Sequence, residues 1–154
     1  MAKKSSPFLT AGLAAGAVAG LVGSAYYWLL RRPLPQKAGA IQLDGLQAPV
    51  EVIRDRWGVP HIYAQNLADL AFAQGYVHAQ DRLWQMDFNR RLVAGRISEL
   101  IGTLSVPLDR WMRTLRMRAT AEQEVALLSG EELALLEAYA SGVNARMTHG
   151  RLPV

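Results

Sequence analysis

From Pro7 to Leu30 the chain runs without a charged residue, PFLTAGLAAGAVAGLVGSAYYWLL, and Arg31 and Arg32 follow at once. At about 1.5 Å per residue this run makes roughly 36 Å of helix, enough for a hydrocarbon core of about 30 Å. Residues 1–32 therefore read as a membrane signal-anchor or a signal peptide. Tyr26, Tyr27 and Trp28 stand where headgroups would meet the helix, which favours a retained anchor. Ala17-Val18-Ala19 and Gly23-Ser24-Ala25 carry the small residues of a cleavage site, the alternative outcome. Gly12, Gly16 and Gly20 form two GxxxG steps, a spacing that lets helices approach and is also common in export segments. Residues 33–40, with two prolines, read as an extended linker.

Past residue 41 the pattern shortens. APVEVIRDRWGVPHIYA gives two extended runs around Asp55-Arg56-Trp57-Gly58, the signature of a β-hairpin. Val50, Val52 and Arg54 share one face, and Glu51, Ile53 and Asp55 the other. That mixture suits a sheet covered on both sides, with Pro60 at a strand start or an edge. Asn66 followed by Asp69 marks a helix start, and Leu67, Leu70, Ala71, Val77 and Leu83 recur at helical spacing. Helix is expected over about 67–101 in two or three pieces, weakened at Gly75 and Gly95 and ended by Gly102. A second helical stretch is expected over 108–128. A third begins at Ser129, whose Ser-x-x-Glu to Glu132 is a capping box, and Leu133, Leu136, Ala140, Val143 and Met147 make its expected buried stripe.

The absence of cysteine excludes a disulfide framework, a thiolate nucleophile and a cysteine zinc site. The formal charge of +4 is unevenly placed. Residues 1–40 hold Lys3, Lys4, Arg31, Arg32 and Lys37 and no acid, whereas the rest carries slightly more acids than arginines. The body thus has no basic field for phosphates, and nucleic acid is not an expected partner. His78 and Asp81, three apart on a helix, can face one metal ion or form an acid–base pair, but no third ligand accompanies them. His61 lies on a strand, and His149 near the end reads as solvated. Asp87 is spaced to pair with Arg90 or Arg91, and Arg96 with Glu99, within one helix. Because Trp84, Met86, Phe88 and Leu92 interleave with these charges, the arginines read as a clasp reaching outside the helix. A fixed guanidinium suits holding rather than proton transfer. Arg110, Arg113, Arg116 and Arg118 alternate with Trp111, Met112, Leu115 and Met117, which reads as a solvated helix face, with a membrane surface or an acidic partner as the alternative. Neither a Gly-rich phosphate loop, a Gly-x-Ser-x-Gly elbow nor an HExxH motif occurs.

Four blocks in this order, VEVIRDRWGVPHIYA, DLAFAQGYVHAQDRLWQMDFNRR, GRISELIG and EELALLEAYASGVNA, resemble the start of the α-chain region of the penicillin acylase family. The resemblance implies an α+β fragment, mostly helical with an N-terminal hairpin. It would be part of a four-layer αββα N-terminal-nucleophile hydrolase, made as a zymogen in the cell envelope, inner-membrane anchored or exported to the periplasm. In that family a serine at the start of the β chain attacks the amide carbonyl, its own α-amino group serves as base, and water releases the acyl group. None of those groups maps onto residues 1–154, so no catalytic or metal-binding residue is expected in this chain, and calcium enters only as a cofactor of the full-length protein. His61, Gln80, Asp81, Arg82, Arg90, Arg91 and Glu99 are then a structural signature. The expected partners are the remainder of the α chain, the β chain, and a membrane through residues 7–30. The implied activity is hydrolysis of linear amides, of β-lactam side chains or acyl-homoserine lactones, by the complete enzyme. A membrane-anchored helical module that binds a partner without catalysis is the alternative.

Overall fold

The computed structural model describes residues 7–31 and 38–149, with the side chains of residues 7–15, 29 and 30 outside that description. The chain divides into an N-terminal unit and a second unit spanning residues 37–150. In the first, helix α1 (Pro7–Tyr26) runs into a π-helical turn, Tyr27–Arg31. A Cβ at Gly16 or Gly20 would meet nothing within 4 Å. Among the described residues no helix is long and apolar enough to cross a membrane. The anchor reading draws much of its apolar run from residues 7–15, whose side chains lie outside the described residues.

The second unit opens with strands β1 (Glu51–Arg54) and β2 (Pro60–Tyr63), paired antiparallel with Val52 opposite Ile62 and Arg54 opposite Pro60. Pro60 begins its strand, as its missing N–H requires. The expectation of cover on both faces is not met among the described residues, where Val52, Ile53 and Tyr63 are all exposed. Only the face of Arg54, Pro60 and Ile62 is half-buried, with α2 against β2, and the face of Ile53 and Tyr63 is open.

Helix α2 (Leu67–Val93) starts as expected, with Asn66 Oδ1 accepting the Asp69 N–H at 2.8 Å. Its one non-helical residue is Arg82, a kink in mid-helix. A turn through Gly95 (φ +63°) leads to α3 (Ser98–Ile101), closed by Gly102 (φ +92°). The stretch expected to be one helix over 108–128 is two, α4 (Val106–Leu115) and α5 (Met117–Val125), because Arg116 adopts the left-handed conformation (φ 56°) between them. Helix α6 (Gly130–His149) begins at the expected capping box, with Ser129 N–H and Oγ both 2.8 Å from Glu132 Oε2.

The core centres on the crossing of α2 and α6, with Ile97, just before α3, also fully buried. Phe72, Ala73, Gly75, Val77 and Ala79 are buried on α2, and Gly142 and Arg146 on α6. The backbones meet at glycines: a Cβ at Gly75 would lie 2.1 Å from the Tyr139 carbonyl oxygen, and one at Gly142 1.9 Å from that of Phe72. This corrects the expected stripe. Leu133, Leu136, Ala140 and Met147 are exposed and Val143 half-buried, because contact at Gly142 turns the helix so that its small face enters the core.

Candidate functional site

From the hairpin to α4 the second unit is organised around charged side chains that hold backbone. At its head, Arg54 leaves the end of β1 and grips α2. Its Nη1 and Nη2 donate to Asp81 Oδ2 and Oδ1, both at 2.9 Å, while Nη2 also donates to Gln80 Oε1 at 2.8 Å and Nη1 to the Gly58 carbonyl at 3.0 Å. A guanidinium presents this fork of donors in one plane, which an ammonium cannot. Asp81 is therefore committed to Arg54, and His78 to a 3.0 Å hydrogen bond with the Tyr139 hydroxyl. The metal or acid–base pairing of His78 with Asp81 is thus not formed, and no group of three candidate ligands gathers among the described residues.

Three aspartates do the same work with carboxylates. Asp55 Oδ1 accepts the Trp57 and Val59 N–H groups at 2.8 and 2.9 Å and closes the hairpin turn. Asp69 accepts from Gln47 and Ala48 N–H at 2.8 and 3.0 Å, tying the incoming segment to the start of α2. Asp109 reaches from α4 to the Ile97 and Ser98 N–H groups at 2.8 and 2.9 Å. It supplies from a distance the cap that Ile97 lacks a side chain to provide. Arg113 Nε, one turn on, donates to the Gly95 carbonyl at 3.0 Å.

Each of these carboxyls is held below the usual carboxylate range. For Asp55 the Val59 N–H leads, with Trp57 and His61 adding to it. For Asp69 the Gln47 N–H leads, with Asn66 and Ala48 adding. Burial pushes Asp109 up, but the hydrogen bonds from Ser98 and Ile97 outweigh it. The sign follows. A depressed carboxyl contributes stability that is fully present above its unfolded value near 4 and is lost as pH falls through the folded value. Thermal melts of the chain are expected to show a lower midpoint at pH 3 than at pH 7, and Asp109→Asn to lower the pH 7 midpoint while flattening that dependence. An Asp109→Asn protein that melts like the parent at both pH values would contradict the staple.

Three more signature residues, Arg90, Arg91 and Glu99, form one ion cluster with Asp87 and Arg96 at the α2–α3 corner. Asp87 accepts from Arg90 at 2.7 Å and Arg91 at 2.8 Å. Arg91 also pairs with Glu99, which accepts from Arg96 Nε at 2.7 Å. Arg90 lowers the Asp87 pKa, with Arg91 adding to it, and Arg96 lowers that of Glu99, again helped by Arg91. The Arg96–Glu99 pair spans the turn into α3 rather than lying within one helix, since α2 ends at Val93. His61 Nε2 sits 3.7 Å from Asp55 Oδ2 in an exposed pair, and exposed Arg82 marks the kink. Sequence reasoning missed Arg54, Asp109, Arg113, Tyr139 and Gly142, each of which acts on a residue distant in the chain.

One groove, of about 500 Å³, gathers residue types that a hydrolase could use: Asp44, Ser141 and His149, with Asn144 and Thr148 beside a floor of Phe72. They do not make a relay. Ser141 and His149 are eight residues apart on one helix, roughly 12 Å along its axis, and His149 Nδ1 lies 3.1 Å from its own-helix Ala145 carbonyl. No hydrogen bond or ion pair joins these three among the described residues. Among the described residues the groove therefore holds no formed nucleophile–base pair.

Comparison with known proteins bears on that scaffold. The penicillin amidase family model matches residues 49–154. The penicillin acylase 2 proenzyme of Pseudomonas sp. strain SE83 is 42% identical over 126 residues, 81% of this chain and 16% of that protein. The acyl-homoserine lactone acylase QuiP of Pseudomonas aeruginosa is 39% identical over 142 residues, 90% of this chain and 17% of that protein. Among solved structures, a thermostable penicillin G acylase from Alcaligenes faecalis superposes with a TM-score of 0.59 at 36% identity, covering 65% of this chain and 53% of the other. The chain thus spans about one sixth of the length of these curated relatives. With the matched stretch running from the hairpin through α6, and with relatives at this identity, the chain belongs to the penicillin amidase family.

Proposed function

We propose that this chain is the N-terminal part of the α-chain region of an N-terminal-nucleophile amidohydrolase that cleaves the linear amide of N-acyl compounds, either penicillin-type side chains or acyl-homoserine lactones. The observation that carries this reading is that relatives bearing both names align over four fifths or more of the chain while the chain covers about one sixth of them. In this reading the nucleophile, its base and the oxyanion donors come from the remainder of a zymogen, and calcium from sites outside this chain. Trp84 and Leu136 are both more than half exposed and offer apolar surface to the remaining α chain and the β chain. Residues 7–30 hold the protein at the envelope, inner-membrane anchored or released to the periplasm after cleavage. A second reading, an anchored helical module without catalysis, is favoured by the lack of a serine–histidine hydrogen bond among the described residues.

The two are separated by expressing the reading frame that contains this chain in full and assaying a chromogenic acyl amide, penicillin G and an acyl-homoserine lactone. Self-cleavage to two chains with turnover is the expected outcome. A stop codon after Val154 with stable, inert protein in the envelope would select the second reading, and the N-terminal mass of the same sample reports whether residues 1–32 remain.

A further inference from the structure

The hairpin turn is closed more tightly than its exposure calls for. Asp55 accepts two N–H groups within it, the Asp55 N–H donates to the Val59 carbonyl at 3.1 Å, and the Gly58 N–H to the Asp55 carbonyl at 2.9 Å. At its tip Trp57 is 77% exposed, with the Arg56 guanidinium 4.8 Å from its ring centroid. Packing alone does not aim this turn, because one face of the two four-residue strands is open, the other is only half-buried, and a lone hairpin is marginal in water. What ties it down is Arg54, whose side chain is only 11% exposed and whose one planar group joins the turn backbone, the strand end and α2. The grip falls on Gln80 and Asp81, immediately before the kink at Arg82, where α2 itself changes direction.

We infer that Arg54 is a positioning residue: its fork on Asp81, Gln80 and the Gly58 carbonyl sets the direction in which the Trp57 turn points from α2. This rests on the amidohydrolase reading for its functional consequence, and on geometry alone for the latch. Arg54 touches no reacting atom. It acts through the hairpin, as a group does whose loss displaces a distant site by about an ångström.

The chain contains no cysteine, so two spin labels can be placed without background. Labels at Trp57→Cys and at Gln74→Cys, an exposed position on α2, report the direction of the turn as a distance distribution. A narrow distribution is expected in the parent. Arg54→Lys, which keeps the charge and loses the fork, should broaden it with helix content unchanged, and Gln80→Leu, which removes one arm, should broaden it less. In the complete precursor Arg54→Lys is expected to lower kcat by up to about 10²-fold with KM little changed. An unbroadened distribution for Arg54→Lys overturns the latch. A precursor that turns over at the parent kcat with Arg54→Lys overturns the functional role while leaving the hydrolase reading intact. If the parent precursor is inert, the hydrolase reading fails and the label distances still decide the latch.

Discussion

Gly142→Leu is expected to abolish the cooperative fold of the second unit. Even a single carbon at that position would lie 1.9 Å from the Phe72 carbonyl oxygen and 2.8 Å from its carbon, both backbone atoms of α2. Backbone cannot swing aside as a side-chain tip can, so the helices must separate and the contacts of Phe72, Ala73, Val77 and Ala79 loosen together. Overpacking typically costs about 1–3 kcal/mol where side chains can adjust, and more where they cannot. Against a domain stability on the order of 5–15 kcal/mol, a forced separation of the α2–α6 crossing is enough to unfold it. Gly75→Leu, opposite the Tyr139 carbonyl at 2.1 Å, should behave alike. Gly130→Ala is the control, since a Cβ there meets nothing within 4 Å, and it should leave the melt within about 0.5 kcal/mol of the parent. Circular dichroism melts decide the matter: a cooperative Gly142→Leu transition near the parent midpoint would show that the crossing is not the core.

Residues 1–154 alone are expected to give no turnover of a chromogenic acyl amide. An amidase needs a nucleophile, a base in hydrogen-bond reach and oxyanion donors, and loss of one such donor costs about 10²–10³ in rate. Four serines lie beyond residues 1–32. The backbone of Ser98 is held by Asp109, Ser105 Oγ donates to the Gly102 carbonyl at 2.9 Å, and Ser129 caps α6. Ser141 lines the groove with His149 but lies on the same helix two turns away. With no serine hydrogen-bonded to a base among the described residues, the rate should stay at buffer background in a stopped assay, whereas the complete precursor should exceed it by many orders of magnitude. Turnover by purified 1–154 that is lost on replacing only Ser141 by alanine would show that the groove moves into a working geometry. Turnover that survives replacement of all four would place the chemistry on some other group.

Local signals carried the elements well. Asn66 with Asp69 and Ser129 with Glu132 each satisfy backbone donors within one turn, so their spacing alone specifies where a helix begins. Gly102 is legible for a related reason, since a residue with φ near +90° ends the segment wherever it sits. Asp87 pairing with Arg90 and Arg91 follows from the helical repeat. The hairpin, too, was written in its turn residues. The break at Arg116 was not, because nothing in an arginine announces a left-handed conformation, and its neighbours on both sides have helical periodicity.

What the sequence by itself determined was therefore most of the elements, though not the break at Arg116, together with the caps and nearest-neighbour ion pairs, the family through its ordered blocks, and the lack of any thiol chemistry. Tertiary structure alone decided which face of α6 is buried. Hydrophobicity pointed to Leu133 and Leu136, but the closest approach of two helices is governed by where a side chain is missing, and Gly75 and Gly142 supply that pair from positions 67 residues apart. It also decided the partners of Asp81 and His78: three residues apart they could have shared a ligand, yet Arg54 and Tyr139 lie within hydrogen-bond reach once β1 and α6 have docked on α2. Spacing along a chain limits which residues can meet within an element, whereas meeting across elements depends on how their surfaces fit.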